Sequence, residues 1–394
     1  MVKTASLFSQ VLSLFPRLEF EQAVRRHQAE RNAKGLTCWQ QFVAMLFCQL
    51  AQAHSLREIC YGLRATVGRL VHLGIREAPA RSSLSYANQH RPWQLYQEVF
   101  YQLLDKCRLV SPRPGHKLRF RNPLLSLDST TIELCLSLFP WAQFTRTKGA
   151  VKLHCLLDHQ GYLPIFAVIT TGKVHDVTVA RQLSFAKGSI IVFDRGYKDY
   201  ALWARWAAAG VYFVSRMVRG TVYEVVERRR VPQGRNILAD EIIRLTSKRA
   251  HIQGCTCRLR RVVVWLPDKQ EELVLITNHL ELGATTIAGI YKERWQIESF
   301  FKALKQNLRI KSFVGTTLNA LLIQIWTALI AVLLLKYLKL RARFGWSLSN
   351  LVALLHWSLF TYRDLWEWLD DPFETPPQAP PAMQLSLALG QHPA

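Results

Sequence analysis

The feature that most constrains the fold of this chain is a change of pattern near residue 118. Upstream, apolar residues recur at helical spacing, as they do over 39–50. Downstream, short apolar runs typical of β-strands take over, and two helical stretches, 176–185 and 199–209, separate the later runs. The order strand, strand, strand, helix, strand, helix, strand predicts a mixed α/β sheet in which hairpins precede β–α crossovers. The predicted strands are 124–132, 151–157, 164–170, 189–193 and 211–216.

Beyond residue 217 the pattern changes again. Strand-like runs continue at first, and helical patterning then begins near Thr286 and lasts to about residue 340. A segment with Pro and Gly at 112–117 is typical of a linker. The tail from Pro372 contains two Pro-Pro pairs and is predicted to be disordered. The further strand-like runs are 221–227, 257–265 and 273–277.

The run 318–335 is apolar and nearly long enough to cross a bilayer. It contains Asn319 and Gln324, however, and several basic residues follow it closely. A single span would also leave the basic regions before it unexplained. We therefore expect a buried core helix and no membrane partner, with a membrane protein as the alternative.

The charge balance points to a polyanionic partner. The chain has 51 Lys and Arg against 28 Asp and Glu, a formal net charge of +23. Nucleic acid is the first partner to consider for such an excess. A membrane surface is the weaker alternative, because the basic residues are spread along the chain rather than gathered on one amphipathic helix.

The cysteines indicate a reducing compartment. None of the eight forms a C-x-x-C pair, and Cys255-x-Cys257 has no matching second pair. A zinc site and a disulfide framework are therefore both unexpected. We expect buried free thiols in a cytoplasmic protein.

One predicted helix combines a carboxylate with a basic face. On a helical wheel of about 100° per residue, Tyr291, Arg294, Lys302 and Lys305 all fall within about 40° of Glu298. A solvated helix with i,i+4 ion pairs is the alternative interpretation. One glutamate cannot neutralise this stripe, however, so further anions are expected nearby. A separate apolar stripe, expected to pack on the sheet, consists of Ile290, Ile297, Phe301 and Leu308.

Two aspartates on predicted strands are possible partners of Glu298. Asp128 lies within an apolar strand, and Asp194 follows a buried one, with Gly196 permitting a sharp exit. Ligands of open α/β sheets bind beyond the carboxyl ends of strands, and a buried carboxylate needs a cation. Singly, each aspartate is more simply explained as a turn or capping residue. Together with Glu298 they form an oxygen-ligand set that suits Mg²⁺ or Mn²⁺ rather than zinc.

The helix resembles the signature of the DDE transposases of bacterial insertion sequences, in particular insertion-sequence family four. That group carries the pattern Y-x2-R-x3-E-x6-K around its catalytic glutamate. The pattern is complete here in Tyr291, Arg294, Glu298 and Lys305.

The two aspartates extend this resemblance. Asp128 matches the family's first aspartate, which follows a hydrophobic strand. Asp194, followed by Arg, Gly and Tyr197, matches its second aspartate in a D-[RK]-G-Y-like box. The resemblance covers about residues 120–340, and no catalytic position is missing.

The resemblance implies a ribonuclease-H-like catalytic fold with a β-rich insertion before the catalytic helix. The interval from Asp194 to Glu298 is 104 residues, against 66 between the two aspartates, which leaves room for the insertion. The expected parts are a helical N-terminal DNA-binding domain at 1–115, a catalytic domain in two pieces at 118–216 and 273–345, the β-rich insertion at 217–272, and a C-terminal helical segment with a Pro-rich tail at 346–394.

The resemblance also implies the chemistry. Asp128, Asp194 and Glu298 would hold two Mg²⁺ ions, or Mn²⁺ in their place, to cleave transposon ends and join them to target DNA. No covalent protein intermediate is needed, so Ser129 is not expected to be a nucleophile. Joining two ends implies a homodimer on double-stranded DNA, in association with the bacterial nucleoid.

Several residues are expected to touch the DNA. In the family, the residues that match Tyr291, Arg294 and Lys305 contact phosphates near the cut end, and Lys302 shares their face. An aromatic residue of the insertion often stacks on a flipped base in this group. Trp265 is the candidate for that role, with a core tryptophan as the alternative.

Two other functions remain open at this level. A ribonuclease-H-like nuclease that cuts without joining would carry the same residues. A non-catalytic DNA-binding protein descended from a transposase is the second, and the intact carboxylate set argues against it. His154 and Asp176 receive no catalytic role, because a strand histidine and a helix-capping aspartate are common.

Overall fold

Nine strands make one sheet within the part of the chain that the computed structural model describes, which is residues 5–31, 33, 35–66, 68–111, 120–307 and 313–376. The strand order is β3-β2-β1-β4-β5-β9-β8-β7-β6. The strands are β1 Leu124–Leu134, β2 Gly149–Asp158, β3 Leu163–Thr171, β4 Ile190–Phe193, β5 Tyr212–Arg216, β6 Tyr223–Arg228, β7 Ile237–Leu245, β8 Leu259–Leu266 and β9 Glu271–Thr277.

The first five strands form a ribonuclease-H-like sheet, so the predicted fold class is confirmed. β1 pairs antiparallel with β2, and β2 pairs antiparallel with β3. β4 and β5 run parallel to β1, after the crossover helices α7 (Asp176–Ala180) and α8 (Tyr200–Ala208). All four residues of β4 are buried, as expected for a parallel strand covered on both faces.

The first crossover helix is shorter than its apolar spacing predicted. The spacing favoured a helix over 176–185, whereas α7 ends at Ala180. Three-residue turns follow, in which the amides of Gln182 and Leu183 bond to Val179 and Ala180. Leu183 still packs against the core next to α8. The apolar spacing beyond Ala180 therefore indicated buried residues and not a helix.

The predicted β-rich insertion continues the same sheet. β9 pairs antiparallel with β5 and joins β8, β7 and β6 to the catalytic strands. β7 was missed from sequence because acidic residues interrupt its apolar pattern. One of them, Asp240, is buried and paired with Arg260 of β8 through two hydrogen bonds of 2.7 Å.

The N-terminal region is helical, as predicted. Ser55 caps α4 by accepting from the Glu58 amide, and Thr37 forms a capping box at the start of α3. These helices share one hydrophobic core with the long C-terminal helix α12 (Leu318–Arg341) and with strands β2 and β3. The helices are α1 Leu7–Leu12, α2 Arg17–Arg26, α3 Cys38–Leu50, α4 Leu56–Arg64, α5 Arg81–His90 and α6 Gln94–Val110.

The long apolar run folds into α12 (Leu318–Arg341). Within the described residues, this is the helix that is long and apolar enough to cross a membrane, and 89% of its most apolar window is buried inside the protein. It packs against α3, α5 and α6, as the core helix of a soluble fold does.

The remaining helices complete the core. Backbone hydrogen bonds from Leu7 to Thr361 and from Phe8 to Leu359 join the two ends of the described chain. The predicted linker at 112–117 and the tail beyond residue 376 lie outside the described residues. These helices are α10 Ala284–Glu293, α11 Trp295–Asn307, α13 Leu348–Ser358 and α14 Leu365–Asp370, together with the short α9 Lys248–Ile252.

Candidate active site

The pairing of β1 with β4 places the two predicted aspartates next to each other. Ser126 of β1 pairs with Val192 of β4, and the parallel ladder ends there. Asp128 and Asp194 each lie two residues beyond that pair, so they stand at the same level with side chains directed to the same face. β1 continues past the end of β4, and this opens the sheet beside Asp128.

Asp128 is a largely buried carboxylate, with 18% of its side chain exposed. Its Oδ1 accepts a hydrogen bond from the Ser129 amide at 2.8 Å. Its pKa is raised to about 7, mainly by burial and in part by the negative charges of Asp194 and Glu298, against the opposing effects of the Ser129 hydrogen bond and of Arg294. A carboxylate in such surroundings is stabilised in its charged form by an added cation.

Asp194 is held by the turn that follows β4. Its Oδ1 accepts from the Gly196 amide at 2.8 Å, and its carbonyl accepts from Ser215 of β5 at 3.1 Å. A Cβ atom at Gly196 would lie 2.9 Å from the same Oδ1. The glycine predicted to permit a sharp exit is therefore required for the close approach of the backbone to this carboxylate.

The signature helix is broken, and this corrects the expectation of one continuous helix. α10 ends at Glu293 and α11 begins at Trp295, with Arg294 at the junction. The reason is local: the Arg294 amide bonds to Tyr291, and the Ile297 amide bonds to Arg294, both with three-residue spacing. The break places Glu298 in the first turn of α11, where the helix dipole favours a negative charge.

Arg294 joins the carboxylates from the two parts of the site. Its Nη2 lies 2.6 Å from Glu298 Oε1, and its Nη1 lies 3.4 Å from Asp128 Oδ2. Tyr291 lies beneath the guanidinium, whose carbon is 5.6 Å from the ring centroid. Burial raises the pKa of Tyr291, and the Asp194 charge adds to this effect, so the tyrosine lies close to the second aspartate as well.

A cleft of about 500 Å³ opens between β1 and α11. Asp128 and Glu298 line it together with Lys302 and Lys305. Lys302 is exposed, whereas Lys305 Nζ donates to the Thr131 carbonyl at 2.8 Å. The predicted association of acidic and basic side chains on one surface is therefore present.

The apolar stripe packs inward, as predicted. Ile290 and Ile297 are fully buried, and Phe301 is nearly so. Leu308, the fourth predicted member, lies outside the described residues. This packing holds α11 against β1.

Trp265 lies elsewhere in the sheet. It is a half-buried residue of β8 and stands opposite Glu272 of β9. Residues of β8 do not line the cleft in the part of the chain that is described.

A polar network next to Asp128 was not assigned from sequence. Ser129 donates to Asp176 Oδ1 at 2.7 Å, and Lys152 Nζ lies 3.3 Å from the same oxygen. His154, opposite Ser129 in the β1–β2 ladder, reaches Asp176 at 3.5 Å. Burial lowers the pKa of His154 to about 4, so its ring is neutral at pH 7. Side chains alternate between the two faces of a strand, and this alternation places Ser129 of β1 and His154 of β2 on one face of the sheet. That pattern is the sequence signal that could have revealed the network.

A second network supports the junction at Arg294. Ser126 Oγ and His159 Nε2 are 2.6 Å apart, and His159 Nδ1 lies 3.7 Å from Glu293. Tyr162 donates to Glu293 at 3.4 Å. Ser126 is fully buried, so this trio resembles a hydrolase triad only in composition and acts as a support between β1 and α10.

The three carboxylates have the ligand chemistry that a hard divalent cation prefers, but their side chains are not arranged around a common point. All three offer oxygen, and a cation bound beside the buried Asp128 would favour its charged form, whose pKa burial and nearby carboxylates raise. Among the described residues, no three His, Cys, Asp or Glu side chains are grouped closely enough to hold a metal as they stand. Arg294 lies between two of the carboxylates instead.

The sequence of this chain is similar to the sequences of transposases. The family model "Transposase DDE domain" matches residues 119–334, and "Domain of unknown function (DUF4372)" matches 3–76. The putative transposase y4zB of Sinorhizobium fredii is 31% identical over 73% of this chain and 80% of the relative. The probable transposase for insertion sequence element IS5377 of Geobacillus stearothermophilus is 30% identical over 65% and 67%, respectively. The solved piggyBac transposase synaptic complex with hairpin DNA has a TM-score of 0.47 and 12% identity, over 89% of this chain and 80% of that one.

Proposed function

Because the chain belongs to the DDE transposase family, whose members cleave and transfer DNA strands with divalent metal ions, we propose that Asp128, Asp194 and Glu298 are its catalytic carboxylates and hold two Mg²⁺ ions. Mn²⁺ has the same preference for oxygen ligands and is expected to substitute. The observation that carries the proposal is the pairing of β1 with β4, by which Asp128 lies beside Asp194. Arg294 contacts both Asp128 and Glu298, so Glu298 lies near the two aspartates as well.

Each part of the fold has a task in this mechanism. The bound ions would supply activation of water or a 3′ hydroxyl and stabilisation of the leaving oxygen. The two strands hold Asp128 and Asp194 rigidly, because both residues follow buried ladder positions. Glu298 approaches from α11, whose inner face is anchored by Ile297 and Leu304. The neutral His154 and the Asp176 network fix the backbone beside Asp128.

The basic side chains of the cleft are placed to hold DNA. Lys302 is exposed at its rim, and Lys305 lines it. Arg294 would exchange its carboxylate partners for a phosphate when cations occupy the carboxylates. Tyr291 contributes by supporting the guanidinium. We also propose Trp265 as a base-stacking residue. Because Trp265 lies on β8, stacking there would require the DNA to extend over the sheet as far as this strand.

The decisive experiment is an excision and strand-transfer assay with the DNA ends that flank this reading frame. Asp128→Ala, Asp194→Ala and Glu298→Ala should each abolish cleavage in Mg²⁺ while leaving DNA binding intact. Asp105→Ala is the matched control, because that carboxylate is exposed on α6 and pairs with Arg108 outside the cleft. Retained cleavage in a triad variant would refute the assignment, and cleavage without joined product would identify a nuclease.

The partners proposed are double-stranded transposon ends and target DNA, held by two copies of the chain. Two ends must be brought together for joining, so the mass of the complex with end DNA should correspond to a dimer. The described cysteines are all free thiols and six of them are buried, which suits a bacterial cytoplasm, where the protein would associate with the nucleoid. A complex containing one chain would contradict the dimer.

A further inference from the structure

Two cysteines, Cys255 and Cys257, lie in the turn that joins α9 to β8. The Cys255 amide donates to the Ala250 carbonyl at 2.9 Å, and the Thr256 amide donates to the Gly254 carbonyl at 3.0 Å. These two hydrogen bonds fix a tight bend of the backbone around the two thiols.

The side chains of both cysteines face the same hydrophobic cluster. Cys255 is fully buried in the cluster that contains Trp203 and Trp206 of α8. Cys257 is half-buried and packs against that cluster, whereas Thr256 between them is exposed. The two sulfur atoms therefore lie on one side of the turn, where the thiols share a hydrogen bond.

The surroundings of the two cysteines are basic. Lys248 and Arg249 of α9 are exposed, as is Arg258, which follows Cys257. The sequence contains no Asp or Glu from 242 to 267. A partly exposed cysteine in positively charged surroundings is favoured as the thiolate, which is the form that reacts.

The two thiols differ in protonation. The hydrogen bond from the Cys255 thiol lowers the pKa of Cys257 to about 7, against the effect of burial. The same bond and burial raise the pKa of Cys255, which keeps its proton. Cys257 is therefore partly a thiolate at neutral pH, with a second thiol in contact with it. Burial instead raises the pKa values of other cysteines, which stay protonated: Cys38, Cys60, Cys107 and Cys155.

A zinc site does not explain this pair of cysteines. Structural zinc takes four protein ligands, and in the described part of the chain no group of three or more His, Cys, Asp or Glu side chains is close enough to hold a metal. Two neighbouring thiols, one of them partly ionised, are instead the arrangement that thiol–disulfide exchange requires.

We propose that Cys255 and Cys257 form a reversible dithiol site, which a low-molecular-weight disulfide oxidises to an intrachain disulfide. The Cys257 thiolate attacks one sulfur of the reagent, forms a mixed disulfide and releases one thiolate. The Cys255 thiol then gives its proton to water, and its sulfur attacks the Cys257 sulfur and displaces the second thiolate. Two electrons pass from the cysteines to the reagent, whose two thiolates take up the protons that the cysteines released.

A disulfide across one intervening residue closes a small ring. Strained or exposed disulfides are reduced more easily than structural ones, so the site stays reduced in a cytoplasm and is oxidised when low-molecular-weight disulfides accumulate. Neither cysteine lines the carboxylate cleft, so the inference goes beyond the proposed function and does not depend on it.

The test follows the two thiols by mass spectrometry. Reduced full-length protein is treated with oxidised glutathione at neutral pH without oxygen, and the remaining thiols are then blocked with N-ethylmaleimide under denaturing conditions. Trypsin cleaves after Arg249 and Arg258 and releases residues 250–258, a peptide that contains Cys255 and Cys257 and no other cysteine.

This peptide should be two hydrogen atoms lighter than its reduced form and should carry no maleimide. Dithiothreitol added before blocking should restore both reactive thiols. A peptide that keeps both thiols after prolonged treatment, or that keeps a glutathione adduct, would overturn the proposal.

Cys135 is a matched comparison within the chain. It is exposed, and the residue two positions later is Ser137, whose Oγ lies 3.1 Å from the Cys135 Sγ. A mixed disulfide at Cys135 therefore has a hydroxyl beside it, which does not displace glutathione. The tryptic peptide 122–146, whose one cysteine is Cys135, should keep the adduct. Loss of the adduct there as fast as from Cys257 would overturn the proposal.

Two variants separate the roles of the two sulfur atoms. Cys255→Ser should leave a stable glutathione adduct at Cys257, and Cys257→Ser should leave Cys255 unmodified, because its thiol is buried and protonated. An adduct-free Cys257 in the first variant, or a modified Cys255 in the second, would overturn the proposed order of attack. Circular dichroism and the thermal midpoint show whether each variant is folded, and the experiment on the unaltered chain does not depend on either one.

Discussion

Arg294 donates to Glu298 across 2.6 Å, at the break between α10 and α11, and the same guanidinium reaches Asp128 of β1 at 3.4 Å. Two carboxylates from distant parts of the chain thus share one internal cation. Since 11% of the Arg294 side chain is exposed, water screens this arrangement weakly. The arginine occupies the place where added cations would be expected to bind.

Replacing Arg294 with Met should therefore destabilise the metal-free protein. Loss of the cation leaves Asp128 and Glu298 facing each other without compensation, which costs about 1–3 kcal/mol. Urea unfolding in EDTA, followed by tryptophan fluorescence, measures the free energy of unfolding. Added Mn²⁺ should restore more stability to the variant than to the wild type. Arg146→Met, at an exposed position, is the control, and equal stability of both variants in EDTA would contradict the prediction.

The pKa of Asp128 predicts a pH dependence of the metal-free protein. In the folded state this pKa is raised from 3.8 to about 7, mainly by burial. Between these values the folded protein binds the proton and the unfolded chain does not, so the contribution of Asp128 to stability falls as pH rises from about 4 to 7. The change is about 4 kcal/mol at most.

Asp128→Asn removes this titration. Unfolding free energies in EDTA between pH 5 and pH 8 should therefore fall less steeply for the variant than for the wild type. Parallel curves for the two proteins would show that the carboxyl titrates alike in both states.

Asp176 should act on catalysis through Ser129. Asp176→Asn weakens its pairing with Lys152 and its bond from Ser129, both of which hold the backbone next to Asp128. Supporting residues of this kind typically change metal affinity or activity by about 10–100-fold. Cleavage rates over a range of Mg²⁺ concentrations should show a higher metal requirement, whereas Asp105→Asn should behave as wild type. A normal Mg²⁺ profile would limit Asp176 to a structural role.

Gly196→Ala should disturb Asp194 selectively. The new Cβ would meet Asp194 Oδ1 at 2.9 Å, and the carboxylate end is free to rotate away. The expected result is weaker Mn²⁺ binding, measured by titration calorimetry, with a small change in thermal midpoint. Gly220→Ala is unsuitable as a control, because its φ of +76° strains any side chain; Gly345→Ala, in open space, is suitable. Unaltered Mn²⁺ binding would remove Asp194 from the proposed metal site.

Sequence patterns predicted the parts of this fold that depend on local periodicity. β1 to β5 were recognisable as apolar runs, whereas the pairing of β1 with β4, which brings Asp128 and Asp194 together, is seen only in the folded sheet. The break at Arg294 was not predictable, because apolar spacing does not show where three-residue hydrogen bonds replace four-residue ones within a helix. The Asp176 network was missed because its members lie on three elements that meet only in the folded sheet.

β7 illustrates how a buried charge pair hides a strand from sequence. Asp240 and Arg260 are each about 95% buried or more and are joined by two hydrogen bonds of 2.7 Å, and Arg260 also donates to the carbonyls of Leu280 and Leu282. Asp240→Ala should cost about 3–5 kcal/mol, because it leaves the guanidinium buried without its counter-ion. The double replacement Asp240→Leu with Arg260→Leu should cost less than the single change, since no charge is left uncompensated. Chemical denaturation of both variants checks this order, and a double variant less stable than Asp240→Ala would mean that the bonds of Arg260 to the two carbonyls matter more than the ion pair.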